Sequence, residues 1–209
     1  MSKVFFEPWI GNQYHNGGIF KKKILVLGES HYCGGCNECG LKYNQHCTDL
    51  TTTKCIQDYL NPDCEREPWM NTFLKFERSL VNFETAPEDS KKIWNSVAFF
   101  NFLQVAMNGA RESGTAEDYE EGAEAFLEVI NDLKPDLIIV WGVTKLYHAL
   151  PSKSWEEGES VIIDGYDVLN GYYNLNDGHQ SRIFFVYHPS VGYSWDWWYK
   201  IFTHFMNDL

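Results

Sequence analysis

Side chains able to do chemistry occupy only a few places in this chain of 209 residues. Glu29, Ser30, His31 and Tyr32 directly follow Gly28. Asn101 closes one apolar run, Trp141 and Gly142 close another, and Tyr187, His188, Pro189 and Ser190 close a third. A carboxylate, imidazoles and a carboxamide make an acid/base and hydrogen-bonding set. They do not make a phosphate cradle. No GxGxxG or GxxxxGK[ST] pattern occurs, so no nucleotide cofactor is expected. The second concentration of chemistry is sulfur. All six cysteines (Cys33, Cys36, Cys39, Cys47, Cys55 and Cys64) fall within one stretch.

The elements that must position these groups are legible as apolar runs. Residues 23–28 (KILVLG), 97–103 (VAFFNFL), 136–142 (DLIIVWG) and 182–189 (RIFFVYHP) are rich in β-branched and aromatic residues. Each is nearly continuous rather than alternating, which predicts strands buried on both faces of a parallel sheet. Between them, Trp69, Phe73, Phe76, Leu80 and Phe83 recur at helical spacing. Ala123, Phe126, Leu127, Ile130 and Leu133 do the same after an acidic lead-in, and Pro135 stops that helix. Trp198, Ile201, Phe202, Phe205 and Leu209 stripe a final helix. Residues 160–175 carry Asp-Gly and Asn-Gly pairs and predict a turn-rich excursion or small hairpin. Alternating strands and helices predict an α/β protein, a three-layer α/β/α sandwich on a mostly parallel four-stranded sheet in the order 2-1-3-4. Ligands of such folds bind at the carboxyl ends of the strands, where Glu29, Asn101 and His188 are expected to converge.

The bulk composition bounds the rest. Hydrophobic residues are 44% and aromatics 16%, enough for one domain spanning 1–209, with a cysteine-rich insertion at 33–64. No apolar run of membrane-spanning length and no signal-like start is seen, so the chain is read as a cytoplasmic monomer without membrane contact. Seventeen basic residues against 29 acidic ones give a net charge of −12. That balance argues against tight, non-specific binding of duplex DNA, because phosphate contacts supply most of such affinity.

The four strand ends, LVLGESHY, FFNFL, IIVWG and YHPS, resemble in order and spacing the motifs of the uracil-DNA glycosylase superfamily, over Lys23 to Ser190. The resemblance is nearest to a bacterial branch with an LGESHY first motif. It implies a uracil-DNA glycosylase-like fold and hydrolysis of the N-glycosidic bond of a uracil-like base, in single-stranded DNA or a smaller nucleotide. Carried over by position, Glu29 orients water and His188 stabilises the departing base. Asn101 reads the base edge, and Gly28, Ser30, Tyr32 and Ser190 complete the substrate pocket. Tyr193 and Trp195 fall where a wedge enters the base stack. Two positions depart from the best-known pattern: Ser30 stands where those members have Asp, and His31 where they have Pro. The alternative is a nucleobase- or nucleotide-binding protein that keeps the pocket without catalysis.

Plainer readings stand beside these. Asn101 at a buried strand end can serve only to satisfy backbone groups. Lys21, Lys22 and Lys23 read as a solvated approach to the first strand. The thiols at Cys33, Cys36, Cys39 and Cys47 have the spacing of ligands that face one ion. The candidates are an iron–sulfur cluster and tetrahedral zinc, with His31 or His46 as further zinc donors. A run of free reduced thiols is the alternative.

Overall fold

The computed structural model describes residues 2–32, 52–107, 109 and 112–209. In chain order its elements are β1 (Trp9–Ile10), β2 (Ile24–Gly28), β3 (His31–Tyr32), α1 (Thr52–Leu60), α2 (Met70–Val81), α3 (Pro87–Trp94), β4 (Val97–Asn101), β5 (Ala106–Met107) and α4 (Ala116–Leu133). There follow β6 (Leu137–Trp141), α5 (Lys145–Ala149), β7 (Trp155–Glu157), β8 (Val161–Ile163), β9 (Tyr166–Val168), β10 (Asn170–Asn174), β11 (Gln180–Val186) and α6 (Trp195–Asn207).

The four apolar runs become β2, β4, β6 and β11. Every residue of the first three is buried, as a central parallel strand requires. The four pair in parallel in the spatial order β4-β2-β6-β11, which is 2-1-3-4 in the numbering of the expected strands. The expectation of a four-stranded sheet is corrected, however. Among the described residues the sheet is mixed and seven-stranded, in the order β1-β4-β2-β6-β11-β10-β7. The three added strands run antiparallel to their neighbours. β1 is two residues long, too short to show a period. β7 is an exposed edge strand, and its WEE sequence lacks an apolar run.

The turn-rich stretch divides in two. β8 and β9 form the expected hairpin, closed by Asp164 and Gly165, both at positive φ. Residues 170–174 are no excursion: they enter the main sheet as β10. The described part of the cysteine-rich stretch at 33–64 contains a helix, α1. Thr52, Ile56 and Tyr59 are buried on one face of α1, a four-and-three spacing that the cysteines obscure.

Alternation along the strands builds two cores. Ile24, Val26, Phe99, Ile139, Trp141 and Phe184 face α1, α2, α3 and α6. Leu25, Leu27, Phe100, Ile138, Val140 and Phe185 face α4 and α5. Helices therefore cover both sheet faces. The α4 start is fixed by a reciprocal cap: Thr115 Oγ1 accepts from Asp118 N, and the Asp118 carboxylate accepts from Thr115 N. Its end is fixed by Lys134 in the left-handed region, just before Pro135. In α2, Phe73, Phe76 and Leu80 are buried as the stripe predicts, while Trp69 and Phe83 lie beyond its ends and are exposed. Among the described residues no helix is long and apolar enough to cross a membrane.

Candidate functional site at the strand ends

Strand parity decides what each terminus presents. Gly28 and Asn101 are register partners in adjacent parallel strands. They point to the same face as Val26 and Phe99, whereas Glu29, one residue on, points to the other. The approach at Gly28 is close: a Cβ there would lie 2.3 Å from Asn101 Oδ1 and 3.1 Å from the Phe99 ring. Only glycine lets the carboxamide sit over the strand end.

Asn101 is 6% exposed and meets His31, which is 5% exposed. Its Nδ2 lies 3.3 and 3.2 Å from the two ring nitrogens of His31. Near-equal distances put the amide over the ring rather than along one lone pair. The His31 Nε2 meets Thr52 Oγ1 at 3.0 Å, and Phe6 packs edge-on at 4.8 Å. Burial pulls the His31 pKa down to about 4, so the ring is neutral. Gln104 seals this side. Its Nε2 donates to Asn101 O at 2.8 Å, and its Oε1 accepts from the backbone N–H groups of Phe5 and Phe6.

Glu29 faces the opposite layer. Its Oε1 accepts from Tyr119 Oη at 2.8 Å and from Lys145 Nζ at 3.5 Å. Its backbone carbonyl accepts from Leu103 N at 2.8 Å. The side chain is 22% exposed. Burial first, and then the Glu29 carboxylate, raise the Tyr119 phenol well above its ordinary range, so it remains a donor. Tyr119 and Lys145 also line a groove of about 510 Å³ between α4 and α5, with Ser113, Glu120 and His148. Both groups were missed in the sequence. Tyr119 lies in the acidic start of α4 and Lys145 beyond the third strand, and neither has a motif around it.

His188 completes the set. Its Nδ1 meets Ser190 Oγ at 2.7 Å and accepts from the Ser190 backbone N–H at 3.3 Å. A backbone N–H can only donate, so the neutral ring carries its proton on Nε2. The ring stands edge-on to Trp141 at 5.9 Å. Burial lowers the His188 pKa, and the negative charge of Glu29 pulls it back up. Two buried polar atoms near the strand ends, Ser30 Oγ and Trp141 Nε1, have no partner among the described residues.

The expected pocket residues are therefore only partly gathered. Gly28, Asn101 and His31 meet on one face, while Glu29 turns to the other and His188 is held by Ser190. Ser190 is exposed and orients His188, and Tyr32 is largely exposed. The wedge expectation at Tyr193 and Trp195 is corrected. Tyr193 is buried, stacks on Trp198 and bonds Ser79 Oγ at 2.7 Å, while Trp195 packs against the core. The exposed apolar side chain after His188 is Val191, at 69%. Cys33, Cys36, Cys39 and Cys47 lie outside the described residues. Within them, Cys55 on α1 places its Sγ 3.9 Å from His31 Nδ1, and burial pushes its thiol up to about 11. Among the described residues no group of three or more metal-ligating side chains is gathered. Compared with known proteins, the chain matches no protein-family model and no curated sequence.

Proposed function

We propose that the strand-end site hydrolyses the N-glycosidic bond of a uracil-like base in single-stranded DNA or a small nucleotide, within a uracil-DNA glycosylase-like fold. The observation that supports this reading is the His188 ring at the strand end, held through Nδ1 by Ser190 with its proton left on Nε2. The C1′–N1 bond breaks and its electron pair leaves with the base. The His188 Nε2–H donates to the base oxygen where negative charge grows. Water, oriented by Glu29, adds to C1′ and gives its proton to the carboxylate. Tyr119 and Lys145 both occupy Oε1 of Glu29, leaving Oε2 as the oxygen for water. Base reading by Asn101 requires His31 to move aside, because the imidazole covers the amide. The net charge of −12 favours a short or single-stranded substrate over duplex DNA.

The test is formation of abasic sites in a uracil-containing single strand. Glu29→Gln and His188→Ala are each expected to lower the rate by about 10²- to 10³-fold. Wild type and both variants giving the same background would end the catalytic reading. The second reading, a non-catalytic base or nucleotide binder, is favoured by the double commitment of Glu29 Oε1, which suits a structural carboxylate. Affinity for uracil or a nucleotide that needs Asn101 but not Glu29, with no turnover, selects it. The thiol run at Cys33, Cys36, Cys39 and Cys47 is proposed to hold zinc or an iron–sulfur cluster. Elemental analysis of anaerobically purified protein decides between these and free thiols, since structural sites keep their metal through purification.

A further inference from the structure

At the other end of the sheet, residues 95 and 96 lead into β4, far along the strands from Glu29 and His188. A cleft of about 540 Å³ opens there between α3 and the segment 12–21. We propose that this cleft binds a small phosphate ester with a hydroxyl-rich body, the chemistry shared by nucleoside monophosphates and sugar phosphates.

The walls are built before any ligand arrives. Gln13 N donates to Asn95 O at 2.8 Å, and Gly11 N to Val97 O at 3.0 Å. Ser96 Oγ accepts from Ile19 N at 3.1 Å and donates to Lys92 O at 2.7 Å. The segment presses against the start of β4 so closely that side chains are excluded. A Cβ on Gly18 would lie 2.2 Å from Ser96 Cβ, and one on Gly11 would lie 2.4 Å from the Asn95 backbone. Gly18 also has a φ of 49°, which favours glycine.

The polar groups of the lining, which stand beside the half-exposed Ile19, are uncommitted. Lys21, Lys91 and Lys92 set three ammonium groups against one carboxylate, Glu88. In a chain of net charge −12 this is a local excess of positive charge. Among the described residues Lys21 and Lys91 have no ion pair, and Lys92 reaches Asp89 only at 4.0 Å. The carboxamides of Asn12, Gln13, Asn16 and Asn95 also line the cleft, and none of them makes a side-chain hydrogen bond within the described residues. A simpler cause accounts for part of this. Lys91 and Lys92 lie in the last turn of α3, where cations complement the carbonyl end of a helix. It does not account for Lys21, which arrives from a separate segment, nor for four free amides.

The chemistry selects the ligand. Ammonium groups bind phosphate as point charges. Carboxamides offer donor and acceptor together and suit hydroxyls or base edges. The volume matches that of small-molecule sites, and Ile19 with the lysine stems gives the body of the ligand an apolar wall beside the polar groups. A nucleic acid strand would have to cross the acidic remainder of the surface, whereas a single phosphate ester answers to the local charge alone.

The test is an amide-detected NMR titration of the full chain at about 0.05 M ionic strength, where surface charge is weakly screened. The probes are AMP, glucose 6-phosphate, adenosine and inorganic phosphate. The expected result is saturating shifts on the side-chain amides of Asn12, Gln13 and Asn95 with one or both esters, weaker binding of inorganic phosphate, and none of adenosine. AMP alone points to a nucleotide, and glucose 6-phosphate alone to a sugar phosphate. A Lys21→Gln/Lys91→Gln variant, both positions being exposed, should weaken ester binding by about tenfold. Its far-UV spectrum and backbone shifts report that it is folded. Asn12→Ala/Gln13→Ala should bring ester affinity down to that of inorganic phosphate. No saturation by either ester up to about 10 mM, shifts located elsewhere, or equal affinity in the lysine variant overturns the proposal. These outcomes are independent of abasic-site formation.

Discussion

Asn101 and Glu29 leave neighbouring strands one residue out of register, yet they meet opposite surroundings. Asn101 is sealed: His31 lies under its amide, Gln104 holds its carbonyl, and Phe6 closes over His31. Glu29 is half-open. Its carboxylate is held by two side chains from α4 and α5 that also line a groove. The pleat sends alternate residues to opposite sheet faces, so one step along the chain separates a core environment from a reactive one. If both sides act in one reaction, the closed side must open while the open side needs only to keep its geometry.

The largest effect should come from acid acting on the closed side. The folded pKa of His31 is lowered from 6.5 to about 4 by burial, so its contribution is complete above pH 6.5. As pH falls from 6.5 toward 4 the unfolded chain takes up a proton that the folded chain refuses, and stability drops. The drop integrates to roughly 3 kcal/mol and levels off below the folded pKa. His188, also lowered by burial, adds to the loss in the same direction. Urea unfolding between pH 7 and pH 4 measures the slope, and His31→Gln should remove most of it. An unchanged slope in that variant would mean that His31 is accessible, and the contrast with Glu29 would collapse.

Gly28→Ala sharpens the same side by sterics. The added carbon meets Asn101 Oδ1 at 2.3 Å, and the buried Phe99 ring stands 3.1 Å away. A loss of about 1–3 kcal/mol is expected by denaturant unfolding, with the His31 ring resonances displaced. Stability within error of wild type would show that the amide is free to swing away.

Much of this contrast could not be read from the sequence. The four central strands were legible because each carries a nearly continuous apolar run, and Asn101, Trp141 and His188 follow from their positions at or just past the strand ends. β1 and β7 were not, being two and three residues long without a buried run. The segment 170–174 was hidden because its turn pairs look like a loop while its partner strand supplies the register. At the site, Glu29 and His188 were visible as residue types, but Tyr119, Lys145, Thr52 and Gln104 reach it only through tertiary packing. Tyr193 and Trp195 show the converse. Aromatics in a suggestive place are taken up by packing, Tyr193 stacked on Trp198 just before α6 and Trp195 half-buried against the core.

On the open side, removing one hydroxyl is a smaller change. Tyr119→Phe keeps the ring against Phe102 and deletes the 2.8 Å bond to Glu29. Because the carboxylate keeps Lys145 and some solvent, the loss should be about 1 kcal/mol by thermal or denaturant unfolding. A loss of several kcal/mol would mean that Glu29 is as tightly enclosed as Asn101.

The smallest effect belongs to Lys145. Its ammonium stands 3.5 Å from Glu29 Oε1, and the two side chains are 43% and 22% exposed. A pair at that distance and exposure gains little, because water screens the attraction and holding a long side chain still costs entropy. Lys145→Met keeps most of the aliphatic stem and removes the charge. The expected cost is about 0.5 kcal/mol at low salt, falling toward zero at about 0.5 M salt as the Debye length shrinks below the width of the groove. Unfolding of wild type and variant at the two salt concentrations separates the terms, since packing losses do not respond to screening and the ion pair does. A salt-independent loss above about 2 kcal/mol would place the pair in a desolvated pocket, where breaking it strands a buried carboxylate. Glu29 would then be a structural residue like Asn101, and the open side of the site would cease to be open.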